Sequence, residues 1–151
     1  MSFFDSLNTS ATGLTAQSLR MDIISQNMTN IDTTRTADGG PYKRKTVIFK
    51  EISNDKNTFR HMFNTALNNN ANSGNVSGVK VDKIVVDNTE GHKEYNPNHP
   101  DADENGYVQR PNVNVVEEMV NMISANRAYE ANITAVNITK GMINKTLEIG
   151  K

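Results

Sequence analysis

The segment DADENG at residues 101–106 puts side-chain oxygens at Asp101, Asp103 and Asn105, the first, third and fifth ligand positions of a calcium loop, with glycine sixth. The twelfth position, where a bidentate glutamate closes such a loop, is Asn112, and Pro111 precedes it. A hydrogen-bonded acidic turn is expected there instead of a cation site. His61, His92 and His99 lack the close helical spacing of a zinc site, and the chain contains no cysteine to supply a thiolate. Gly74 and Gly78 stand at the wrong distance from Lys80 for a phosphate-binding loop, and no serine occupies a GxSxG elbow. The basic cluster Lys43, Arg44 and Lys45 has only Tyr42 beside it and acidic residues after it, which predicts a solvated strand edge rather than a nucleic-acid contact. Nothing in these spacings predicts catalysis, a metal or a cofactor.

Composition narrows the classes further. The chain has 151 residues, 36% of them hydrophobic, and a formal net charge of -1. Globular chains usually carry roughly 45 to 50% apolar residues, so a small core is expected. Asparagine accounts for 22 residues, making the chain polar without making it charged. No overall field selects nucleic acid or an anionic membrane. No run of about 18 apolar residues is present to span a bilayer. The first residues, MSFFDSLNTSATGLTA, lack the basic start and continuous apolar stretch of a cleaved secretory signal. The expectation is a protein that stays inside or leaves by a route needing no such signal.

Two long helices are predicted at the ends. Leu7, Leu14, Met21 and Met28 recur every seventh position, with Ala11, Ser18 and Ser25 midway as small residues that would let a neighbouring helix come close. Ser2 and Asp5 resemble a capping box. Phe3, Ile24 and Ile31 form an adjacent stripe, widened by Leu19 and Ile23, so this helix needs cover from more than one side. In the last third, Asn114 is a cap, Glu117 and Glu118 fall in the first turn, and Lys140, Lys145 and Lys151 lie toward the end, as the helix dipole favours. Val115, Met122, Tyr129, Val136 and Ile143 repeat every seven residues, with Met119, Asn126, Ile133, Lys140 and Leu147 as the companion line. Asn126 is a polar interruption of that seam. A second stripe runs through Ala131, Ala135, Ile138, Met142 and Ile149. Each buried large apolar residue contributes about 1.5 to 3 kcal/mol. Four of them cannot order a helix of this length alone. Both helices are therefore expected to be marginal in an isolated chain, with second stripes left wet until neighbouring subunits cover them.

Between the helices the pattern changes at the turn signal DGGP, residues 38–41. Residues 43–52 and 79–86 read as strands, with shorter ones at 92–95 and 107–109. Phe59, Met62, Phe63, Ala66 and Leu67 suggest a short helix ahead of an Asn-rich tract, and 53–75 is expected to be a long surface excursion. The predicted architecture is α+β: long N- and C-terminal helices packed as a coiled-coil-like pair, with a small β-rich domain inserted between them. Its parts are 1–36, 37–111 and 112–151.

Several motifs carry a family resemblance. SQNMTN at 25–30 is similar to the SxNxAN signature of rod and hook proteins, with Thr29 in place of alanine. GGPYKRK at 39–45, NHPDADENGYV at 98–108, PNVNVVEEMVNMISA at 111–125, RAYEAN at 127–132 and KTLEIG at 145–150 extend the match, which omits 53–75. Together they resemble the axial proteins of the bacterial flagellum, and among these the proximal rod proteins of the basal body. The resemblance implies export through the flagellar type III apparatus without a cleaved signal. It also implies assembly into the rod that crosses the periplasm and transmits torque from rotor to hook. Partners would be further copies and other rod proteins of the FlgB, FlgF, FlgG and FliE type, with neither nucleic acid nor membrane insertion. Terminal helices would line the inner tube and the β region would face outward. Asn27 and Asn30 would then hydrogen bond within the assembled wall. Alongside them, the expected assembly residues are Leu7, Leu14, Met21, Met28, Val115, Met119, Met122, Asn126, Tyr129, Ile133, Val136, Ile143 and Leu147. A secreted coiled-coil interaction protein outside the flagellum is the alternative, and a small enzyme stands further behind.

Overall fold

A computed structural model describes residues 3–37, 39–52, 63 and 78–149. The expected short helix near Phe59 and the Asn-rich excursion lie outside the described residues, Phe63 excepted. Helix α1 spans Phe3–Thr29, with Asp5 in its first turn. It carries little charge, and its polarity is partly self-satisfied: the hydroxyls of Thr9, Thr12, Thr15 and Thr29 each donate to a carbonyl three or four residues back. Ser2, half of the expected capping box, lies outside the described residues.

Strands β1 (Lys45–Glu51) and β2 (Val79–Val86) pair antiparallel, with a bulge between Ile48 and Phe49. Strands β3 (Lys93–Tyr95) and β4 (Tyr107–Gln109) form a second two-stranded sheet. Its cross-strand pair Tyr95 and Tyr107 meets edge to face, with ring centroids 5.3 Å apart. Gly106 takes a φ of 78°, the left-handed conformation that turns the chain into β4.

Helix α2 spans Val115–Ile149. The Asn114 side-chain oxygen accepts from the amides of Val116 and Glu117 at 3.0 and 3.4 Å, capping orphan donors of the first turn. No basic residue lies in the last turn; Lys145 instead pairs with Glu148 at 2.8 Å. Among the described residues no helix is long and apolar enough to cross a membrane.

The two helices pack against each other, and the β1–β2 pair lies against α1. They run antiparallel: Asn27 meets Glu118, while Gly13 faces Asn132. On that register Phe3 falls opposite Met142, so α2 continues past the start of α1. The α2 face turned to α1 steps by four and three through Glu118, Met122, Ala125, Tyr129, Asn132, Val136, Thr139 and Ile143, all buried or half-buried. This is the coiled-coil spacing. Its close approach comes from Gly13 and Ala16, because Ala11, Ser18 and Ser25 are exposed. Ile23 and Ile24 are buried inside the chain, since β1 folds onto α1. The expectation that the α1 stripe at Ile24 stays wet in a single chain is corrected by that contact.

Candidate functional site

Three remote segments meet where the end of α1, the start of β1 and the first turn of α2 converge. Asn27 is 1% exposed and makes four hydrogen bonds, the full capacity of its amide. Its nitrogen donates to the Lys45 carbonyl at 2.8 Å and to Glu118 Oε2 at 2.9 Å. Its oxygen accepts from the Tyr42 hydroxyl and from the Lys45 amide, both at 2.9 Å. Glu118, also 1% exposed, receives Arg44 on its other oxygen, from Nε at 2.8 Å and Nη2 at 2.7 Å. Arg44 Nη2 also reaches Glu117 at 2.9 Å, and the Arg44 amide donates to the Asn112 side chain.

This geometry sets the electrostatics. Burial, followed by the nearby Glu118 charge, raises the Tyr42 phenol above its ordinary pKa. Burial acts against the Arg44 charge, but hydrogen bonds and attraction from Glu118 and Glu117 outweigh it and raise the guanidinium pKa. A carboxylate this deep is tolerated because both oxygens are occupied and a cation is in contact. The arrangement fixes three elements relative to one another; it presents no reacting group to a substrate. The basic cluster is thus split: Lys43 is exposed on the Asn88 side chain, but Arg44 turns inward to the two glutamates. The solvated-edge expectation is corrected at Arg44, because a buried carboxylate at the head of α2 demands a partner.

A second clip holds the segment after α1. Asp101 accepts the Thr34 hydroxyl at 2.8 Å and lies 3.6 Å from Arg35. Arg110 joins Asp32 and Glu94 at 3.1 and 2.7 Å. The acidic turn therefore binds its own chain through Asp101, and its backbone closes through Gly106 donating to Asp103 at 2.8 Å. Among the described residues no group of three or more histidine or acidic side chains could hold a metal ion.

The expected assembly residues divide by position. Leu7, Leu14, Met21, Met28 and Asn30 are half-buried along α1, as are Met122, Tyr129, Val136 and Ile143 along α2. Val115, Met119, Asn126, Ile133 and Leu147 are exposed. The intramolecular companion line is consequently Glu118, Ala125, Asn132 and Thr139, one residue away from the expected one. Asn126 hydrogen bonds Glu130 at 3.4 Å, and Asn30 donates to Gln26 at 2.8 Å. Asn27 uses its whole capacity within its own chain. Away from α1, α2 exposes Val116, Val120, Ile123, Ile138, Met142 and Ile149, with Val116 at 70% and Ile149 at 85%. Monomer packing leaves that face uncovered.

Comparison with known proteins supplies the family. Residues 7–35 match the model described as flagella basal body rod protein, and residues 104–149 match the C-terminal model of flagellar basal body rod FlgEFG proteins. Over its full length the chain is 46% identical to the flagellar basal-body rod protein FlgC of Bacillus subtilis, all of which is covered. The FlgC of Borreliella burgdorferi is 46% identical, with 99% of this chain and 98% of the relative covered. That of Escherichia coli O6:H1 is 35% identical over the whole of both chains. The chain belongs to the FlgC family of flagellar basal-body rod proteins. FlgC membership makes it a structural rod protein and not an enzyme, and sets aside the coiled-coil alternative outside the flagellum. It also gives the polar junction a context: Asn27 lies in one matched segment, Glu117 and Glu118 in the other, and Tyr42, Arg44 and Lys45 between them. Sequence reasoning named only Asn27 of this junction as a site residue. The motifs around 39–45 and 111–125 held the remaining partners, but their convergence needed the fold.

Proposed function

We propose that this FlgC-family chain polymerises through its terminal helices, forming the proximal part of the rod that carries torque from rotor to hook. In this reading it is exported by the flagellar type III apparatus without a cleaved signal and assembles across the periplasm with copies of itself and with other rod proteins. The α1–α2 pair forms the inner wall, and residues 37–111 face outward. The supporting observation is that α2 exposes Val116, Val120, Ile123 and Ile138 on the side that α1 leaves uncovered. Exposed apolar strips of this length mark an interaction surface. Torque then passes through interlocked helices, and the polar junction keeps each unit from shearing internally.

Ile123→Glu and Ile138→Glu test this directly. Each alters an exposed position, so unfolding midpoints of the purified chain should change by less than about 0.5 kcal/mol. Swimming and recovery of complete rods should be lost. Normal motility with either variant would refute helix-mediated assembly.

A further inference from the structure

The β1–β2 ribbon touches α1 a second time, far from the Asn27 junction. At that end the Ile52 amide donates to the Gly78 carbonyl at 2.8 Å, closing the ribbon. The next amide, Val79, donates to the Thr12 hydroxyl oxygen at 3.1 Å, and that hydroxyl donates to the Thr9 carbonyl at 2.7 Å. Gly78 sits directly on the helix there. A β-carbon at 78 would meet Thr12 Oγ1 at 2.5 Å, Thr12 Cγ2 at 3.0 Å and Ile52 Cδ1 at 3.2 Å. The left-handed φ angles among the described glycines belong to Gly39 and Gly106, so space and not backbone conformation requires glycine at 78. The two spans also agree. Fifteen residues of α1 from Thr12 to Asn27 cover about 22 Å, and the seven steps from Lys45 to Ile52 cover about 23 Å. The ribbon therefore lies along the helix, β1 running antiparallel to α1, with one fastening at each end.

We propose that Thr12 and Gly78 are positioning residues for torque transmission: they form a second fastening that makes the β1–β2 ribbon twist with α1 instead of swivelling about Asn27. The proposal rests on the reading above, in which the helices form the inner wall and the β region faces outward. A ribbon held only at Lys45 is free to pivot there, whereas a second contact about 22 Å away along the helix opposes that rotation. The two fastenings differ in kind. At Asn27 a buried amide spends its whole hydrogen-bonding capacity. At Thr12 one exposed hydrogen bond is backed by a contact too close to admit any side chain at 78. Close packing resists displacement where a lone exposed hydrogen bond would exchange with water. Releasing the second fastening leaves the fold and the outer face of α2 in place and lowers stiffness, so its effect shows under load.

Thr12→Val keeps the side-chain volume and removes the acceptor, while Gly78→Ala adds the carbon that has no room. In the purified chain, hydrogen exchange at the Val79 amide should quicken about three- to tenfold with Thr12→Val, the effect of one lost hydrogen bond. In cells both variants should complete rods and swim in dilute buffer, then slow in a viscous medium where the parent still swims. Parental swimming under load by either variant, or loss of rods with Thr12→Val, would overturn the proposal. Cysteine supplies the converse test, because the chain has none. Thr12→Cys combined with Gly78→Cys should close an intramolecular disulfide, since so close a contact suits Cβ atoms about 4 Å apart. Oxidised, that variant should swim under load like the parent; after reduction it should slow, while the cysteine-free parent treated alike does not. A pair that fails to close, or whose reduction changes nothing under load, would also overturn the proposal. Failure of Ile123→Glu to block assembly would instead count against the underlying reading.

Discussion

Asn27 stands where a leucine would satisfy a helical heptad equally well by volume, yet its amide joins four groups from two other parts of the chain. Asn27→Leu would strand Glu118 Oε2, the Tyr42 hydroxyl and both main-chain groups of Lys45. The expected loss is at least about 3 kcal/mol, measured by chemical denaturation. Asn30→Leu removes only contacts at the helix end and should cost about 1 kcal/mol or less. Tyr42 gives a second test. Because its folded pKa is raised above the ordinary 10.0, the folded state keeps a proton that the unfolded chain releases. Stability is therefore unaffected by this group below about pH 10 and falls as pH rises from there through the folded value. Tyr42→Phe should be weaker by about 1 kcal/mol at neutral pH, having lost the bond to Asn27, and should show a shallower alkaline decline than the parent in paired denaturation curves. Of this junction, the short motif around Asn27 was readable in the sequence. Its partners lie 15, 18 and 91 residues away, and local spacing carries no information about such pairings.

At the scale of elements, much was legible. β2 and β4 fall at the predicted residues, and α2 begins after its predicted cap, because alternation, asparagine capping and turn residues are local effects. The line through Met122, Tyr129, Val136 and Ile143 was also visible, being large and apolar. Its companion was not, because Glu118, Ala125, Asn132 and Thr139 are small or polar and a search for bulk selects Met119, Ile133 and Leu147 instead. Small residues serve that seam by letting the backbones approach. A side chain added at Gly13 would meet the Asn132 amide at 3.1 Å. Gly13→Leu should therefore separate the helices and destabilise the chain by about 1 to 3 kcal/mol, read from the denaturation midpoint. Asn114→Ala, which removes a cap and no packing, should cost about 1 kcal/mol in the same assay.

For the whole molecule, two kinds of surface perform different tasks. Polar junctions, with Asn27 and Glu118 at one and Asp101 and Arg110 at another, tie the β region to the helices and define one unit. The apolar outer lines of α2 remain available to other units. The near-neutral net charge leaves little long-range repulsion between copies, which suits close side-by-side packing. The most direct measurement of the central claim uses Ile138→Cys, the sole thiol in such a chain, and compares its rate of alkylation in purified monomer with that in isolated basal bodies from motile cells. The account predicts rapid modification of the monomer and protection in the rod. Equal reactivity in the two states would contradict it.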